Sequence, residues 1–317
     1  MQSTVAQGIS LFFGFLFILP AHADCWQAFK AQTDLQMQQR EQQYQKYDSS
    51  FQTIHPLSRA YTQDGSRDEL VILMHGFLGS ANEMRTLADM ANKAGFKVYS
   101  ALIPGFGGTA VIANQVKKEE WISWTNSEMA RAEQCFTKIH MIGFSTGGTL
   151  FHNYVSTHPT DTHLASMTLI SPFFRTYFLF NLALKAVKFS FMKKISIAGL
   201  TTVFPVEDAK AITENPETYL QTVPLQSMQQ VVDLGQNDKK QNITQGSLKI
   251  PVLAILSADD LVADHTVSEK LLQFDYVDLD LTVFKGPPHV PHQLMLYSVS
   301  PKAEEAYQLV YDFLMKN

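Results

Sequence analysis

Residues 70–74 read Leu-Val-Ile-Leu-Met, five apolar side chains in a row. A strand with one wet face alternates apolar with polar residues. An unbroken apolar run is buried on both faces, which is how strands sit in a parallel sheet covered by helices on each side. Further strands, richer in apolar than polar residues, are read at 97–103, 139–143, 165–170, 250–256 and 279–284. Between these runs lie helical stretches at 81–94, 119–136, 147–158 and 266–274, and a closing one at 303–315, with Ser80 placed to cap the first. Strands alternating with helices predict an α/β fold with a doubly wound, mostly parallel sheet. The rhythm lapses over residues 173–247, which predicts a helical cap inserted between core segments 58–172 and 248–317.

The chain has 317 residues, 45% hydrophobic and 17% charged, with a formal net charge of −5. That balance supports a large core and excludes a nucleic-acid binder that works through a basic surface. Two cysteines exclude a four-cysteine zinc site.

Residues 1–23 carry no Asp, Glu, Lys or Arg; an apolar run at 9–19 precedes Pro20 and Ala21-His22-Ala23. This is the pattern of an exported protein's signal peptide cleaved after Ala23, and it predicts a periplasmic or secreted product. In an oxidising compartment Cys25 and Cys135 either pair or remain two separate thiols, and sequence gives no distance to decide. Residues 24–57 form a glutamine-rich polar segment, read as a solvated helix or spacer outside the main core.

The strand at 139–143 leads into Gly143-Phe144-Ser145-Thr146-Gly147-Gly148. A Gly-x-Ser-x-Gly between a buried strand and a helix holds a serine on a sharp turn, with its hydroxyl above the sheet edge and at a helix N-terminus. Glycines are required where side chains would strike the neighbouring strand and helix. Two backbone N–H groups must be fixed beforehand to bind a tetrahedral oxyanion. Thr146, after the serine, and Phe77, after His75-Gly76 at the end of the first run, are placed to supply them. His75 precedes the serine and is read as a brace for its loop.

A serine nucleophile needs a base and an acid to orient it, in the chain order Ser, Asp or Glu, His. Ser257-Ala258-Asp259-Asp260 follows one strand and Gly286-Pro287-Pro288-His289-Val290-Pro291-His292 another. Asp259 is taken as the acid, with two competitors: Asp260, facing solvent or capping the next helix, and Asp264, deeper in the loop before Thr266. His289 is taken as the base, stiffened by the prolines, with His292 as rival. The His-x-x-His spacing lacks a third ligand cluster, so no metal is expected.

With these motifs in place the sequence resembles the α/β-hydrolase superfamily, most of all its small carboxylesterases and monoacylglycerol lipases. The resemblance rests on LMHGFLGS at 73–80, PGFGGT at 104–109, IGFSTGG at 142–148, SADDLV at 257–262 and GPPHVPH at 286–292. It implies a Ser145–Asp259–His289 triad, favouring Asp259 because Val262 follows three residues later and His289 because Val290 follows it. It further implies Phe77 and Thr146 as oxyanion donors, no cofactor, and a small ester or lipid substrate. The aromatic stretch 173–200, studded with Arg175, Lys185, Lys188, Lys193 and Lys194, suggests a lid lining an acyl pocket and touching a membrane surface. An acyltransferase using the same triad, or a non-catalytic binding protein on this scaffold, are the alternative readings.

Overall fold

A computed structural model describes residues 22–176, 194–196, 206–238 and 243–317. The expected leader at 1–23 lies almost wholly outside the described residues. So does most of the lid segment, including Lys185, Lys188 and Lys193.

Seven strands form one sheet: β1 (Tyr61–Gln63), β2 (Leu70–Met74), β3 (Lys97–Ala101), β4 (Ile139–Phe144), β5 (Leu164–Ile170), β8 (Val252–Ser257) and β9 (Leu279–Phe284). Their spatial order is β1-β3-β2-β4-β5-β8-β9. All neighbouring pairs are parallel except β1 with β3. Every residue of β2, β4 and β8 is buried, β2 as its unbroken apolar run requires and β4 with one histidine, His140, among its apolar residues. A shorter pair, β6 (Lys194–Ser196) and β7 (Thr222–Pro224), is antiparallel and separate from the main sheet.

Among the described residues the α-helices are α1 (His22–Tyr47), α2 (Arg85–Lys93), α3 (Ala110–Ala113), α4 (Lys118–Glu133), α5 (Thr146–Thr157), α6 (Val206–Thr213), α7 (Leu225–Asp238), α8 (His265–Asp275) and α9 (Ala303–Lys316). The turn before α2 is a 3-10 helix, Ala81–Met84, and Ser80 makes no side-chain capping bond there. Between β5 and β8 the described residues form β6, α6, β7 and α7. No helix among the described residues is long and apolar enough to cross a membrane.

The glutamine-rich segment departs from expectation: it does not stand outside the core. Trp26, Phe29, Thr33, Met37, Arg40 and Tyr44 recur every three or four residues and are all buried. They form one narrow stripe on α1, enough to dock a helix whose other faces are polar. Phe29 packs edge-on against Tyr99 of β3, and Trp26 against Phe136. The Arg131 guanidinium of α4 donates to the Phe29 carbonyl at 2.9 Å and Thr33 Oγ1 at 3.1 Å, and pairs with Glu128. Cys25 and Cys135 form a disulfide, their Cα atoms 5.5 Å apart, tying the start of α1 to the segment after α4.

The register brings the C-terminal ends of the central strands level. Met74 of β2 stands opposite Gly143 of β4, Phe144 opposite Ile170 of β5, and Ile170 opposite Ile255 of β8. Loops leaving these ends share one crevice, the place where open α/β sheets hold ligands.

Candidate active site

Ser145 sits between β4 and α5 with φ +50° and ψ −114°, a strained conformation for a residue with a side chain. The packing around it shows why glycines flank the turn. A Cβ on Gly147 would lie 2.3 Å from the Met74 carbonyl oxygen, and one on Gly143 would lie 2.6 Å from the Gly148 backbone. Ser145 N–H donates to the Ile170 carbonyl at 2.9 Å, and Gly147 N–H to the His75 carbonyl at 3.1 Å.

The groups that reach Ser145 are not the expected pair. His292 Nε2 lies 2.9 Å from Ser145 Oγ, and His292 Nδ1 lies 2.6 Å from Asp260 Oδ2. Both partners are buried. The other Asp260 oxygen accepts the N–H groups of Val262 and Ala263, each at 2.8 Å, so the carboxylate is held from two sides. The network assigns the tautomer: Nδ1 carries the proton facing Asp260, and Nε2 accepts from the serine hydroxyl.

The expectations for Asp259 and His289 are therefore corrected. Their nearest approach is 3.8 Å, and their side chains are 31% and 45% exposed. They form a surface pair beside the site. At the end of β8 Ser257 Oγ accepts the Asp259 N–H, and the turn sends the next side chain, Asp260, inward. Residues 285–289 run exposed, and the chain re-enters the protein at Val290, so the first buried histidine is His292. Asp264, the other competitor, caps α8 through Thr266 N–H. Sequence order and residue type fit any pairing of two acids and two histidines.

Burial acts to depress the His292 imidazole. The charge and hydrogen bond of Asp260, with the Asp208 and Glu83 carboxylates nearby, outweigh it and hold the group above its ordinary value of 6.5. Asp208 comes from α6. Its Oδ1 accepts the Gln293 N–H at 2.8 Å, while Oδ2 is buried with no hydrogen-bond partner among the described residues. Burial pushes Asp208 up to about 6, against the pull of His292.

His75 braces the loop after β2. Its Nδ1–H donates to the Gly76 carbonyl at 2.7 Å, and its Nε2 accepts the Ile103 N–H at 3.0 Å. Both nitrogens are thus committed as a neutral ring, and burial holds its pKa down at about 4. The unfolded chain takes up this proton near pH 6.5, before the folded one does. The stabilisation is complete above pH 6.5 and is lost as pH falls toward 4. It amounts to about 3 kcal/mol on the 1.36 kcal/mol-per-unit scale. Urea melts at pH 7 and pH 4.5 should show this loss in the native protein and a smaller one in His75→Gln. Equal losses would assign the acid sensitivity elsewhere.

Ser145, Phe77, Thr146 and His292 line one cavity, with Leu78, Phe144, Phe173, Ile212, Met228, Val231, Val232 and Val262 supplying apolar walls. Four of these wall residues belong to α6 and α7. The segment between β5 and β8 thus contributes to the pocket through these helices, and among the described residues of the stretch expected to form the lid, Phe173 lines it.

Comparison with known proteins places the chain among relatives. Residues 65–293 match the family model described as serine aminopeptidase, S33. A stretch of 89 residues, 28% of this chain, is 30% identical to a thermostable monoacylglycerol lipase of Bacillus sp. (strain H-257) and spans only 36% of that protein's length. Among solved structures, one from a report on two metagenome-derived lipolytic enzymes, LipS and LipT, superposes with a TM-score of 0.68 at 20% identity, over 84% of this chain and 100% of that one. A monoacylglycerol lipase of Paleococcus ferrophilus gives 0.63 at 19% identity, over 81% and 98%. A soluble variant of monoglyceride lipase from Saccharomyces cerevisiae, in complex with a substrate analog, gives 0.62 at 17%, over 81% and 91%. At these identities the superpositions establish the α/β-hydrolase fold.

Proposed function

This chain belongs to the serine aminopeptidase, S33 family, and from that membership we propose that it is a serine hydrolase cleaving carboxylic esters with an apolar acyl chain, acylglycerols among them. The observation that carries the reading is the line of hydrogen bonds from Ser145 Oγ through His292 to Asp260, at an apolar cavity. His292 takes the serine proton as Oγ attacks the ester carbonyl. Asp260 keeps the imidazole in its working tautomer and stabilises its cation. The N–H groups of Phe77 and Thr146 bind the oxyanion. His292 then gives its proton to the departing alcohol, and water hydrolyses the acyl-enzyme by the same route.

A base works only when unprotonated. Because His292 is held above 6.5, the acid limb of kcat/KM is expected above pH 6.5 rather than below it.

The disulfide between Cys25 and Cys135 supports export to an oxidising compartment, with the leader removed near Ala23. N-terminal sequencing of the exported protein tests this, and a retained Met1 contradicts it.

The functional test is hydrolysis of p-nitrophenyl esters across acyl lengths, with an aminoacyl p-nitroanilide as contrast and Ser145→Ala as control. Ester turnover that Ser145→Ala abolishes is the expected result. Turnover of the anilide alone, or by the control, would overturn the ester reading.

A further inference from the structure

Glu83 lies in the 3-10 turn Ala81–Met84, just past the loop that carries Phe77. Its side chain turns inward and meets three donors from three parts of the chain. Gly76 N–H donates to Oε2 at 2.6 Å, Tyr219 O–H to Oε1 at 2.8 Å and Gln293 Nε2–H to Oε1 at 3.2 Å. Tyr219 belongs to the segment between α6 and β7, and Gln293 directly follows His292. The loop closes tightly round the carboxylate: a Cβ on Gly79 would lie 2.6 Å from Glu83 Oε2.

The same loop is stitched to the cap a second time, by Leu220 N–H donating to the Leu78 carbonyl at 2.9 Å, with Leu78 held at φ +69°. Each of these bonds bears on the Phe77 N–H. The Gly76 carbonyl is fixed by His75 Nδ1–H and by Gly79 N–H, and in a trans peptide the following N–H points the opposite way. Glu83 holds the N–H on the other side of Gly76. The peptide that presents the oxyanion donor is thereby clamped at both ends.

We propose that Glu83 is a positioning residue that joins the oxyanion loop, the cap and the histidine loop through one carboxylate, so that the Phe77 donor is aligned when the cap is seated. The inference rests on the serine-hydrolase reading above. All three groups meeting the side chain are donors, which is the environment of a carboxylate. Burial raises its pKa, and Gly76, Tyr219, Gln293 and the His292 imidazole oppose the rise. The acidic groups acting on His292 are Asp260 from the loop after β8, Asp208 from α6 and Glu83. Glu83 therefore contributes to the field at the base without touching it.

Glu83→Gln keeps the shape but offers one acceptor and turns an NH2 toward a donor. With p-nitrophenyl ester its kcat should fall about 10²-fold, the scale of losing an oxyanion donor, with KM within about threefold. The acid limb of kcat/KM should move to lower pH, and the His292 imidazole resonance should titrate lower in the NMR spectrum. Tyr219→Phe, which cuts only the link to the cap, should lower kcat about tenfold. Native kcat and an unmoved titration in Glu83→Gln would overturn the proposal, as would a loss confined to KM. If the native protein cleaves no ester, the hydrolase reading fails, and the NMR titration still decides whether Glu83 acts on His292. If Glu83→Gln does not fold, Tyr219→Phe carries the test, and unchanged kcat there overturns the proposal.

Discussion

Replacing His292 with alanine is expected to lower kcat on an ester by about 10³- to 10⁶-fold, the range for removing the base of a serine triad. Asp260→Asn should cost about 10³- to 10⁴-fold, because the amide no longer holds the Nδ1 proton or stabilises the cation. His289→Ala should stay within about twofold, as substitutions of exposed side chains outside the chemistry usually do, and so should Asp259→Asn, whose amide oxygen can still accept the Val290 N–H. All four variants fall within two adjacent loops, so general damage to the sheet edge would affect them alike. The contrast between neighbours is the discriminating result. A large loss in His289→Ala with activity retained in His292→Ala would reverse the assignment.

The disulfide gives the second large effect. Cys25 and Cys135 close a loop across a sequence separation of 110. In the chain-entropy model such a link stabilises by about 4–5 kcal/mol. Opening it with reductant, or changing both cysteines to serine, should lower the thermal midpoint by roughly 10 °C in a chain of this size. The effect should reach the site as well. Tyr44, at the far end of α1, donates its hydroxyl to the Phe106 carbonyl and accepts the Gly105 N–H. The Phe106 ring packs against both His75 and Phe77. Loosening α1 should therefore lower ester turnover below the melting range. Equal midpoints with and without reductant would show that the stripe on α1 holds without its covalent tie.

The central strands were legible because burial on two faces leaves a direct mark on composition, whereas the short edge strand β1, half-buried throughout, was not expected. The expected bounds at 70–74 and 279–284 coincide with β2 and β9, and β4 runs only one residue further than expected. The Gly143 and Gly147 contacts explain the nucleophile turn in the terms its sequence suggested. The errors have two physical sources. Asp259 and Asp260 are adjacent residues of one type, and which of them faces inward depends on a turn geometry that residue type does not encode. The same holds for His289 and His292, where two prolines carry the chain outward before it re-enters. On α1 the buried stripe is diluted by glutamines on every other face, so mean polarity hid a helix that docks by six positions. Glu83 carried no sequence signal at all, because its three donors come from residues 76, 219 and 293.

Trapping the acyl-enzyme tests the central claim most directly. The protein is mixed with a p-nitrophenyl ester, quenched in acid within the first turnover, and digested with trypsin. Mass spectrometry should find the acyl group on the peptide between Lys138 and Arg175, localised to Ser145. The same adduct should be absent from His292→Ala and present in His289→Ala. An acyl group on another residue, or turnover with no covalent adduct, would contradict the account.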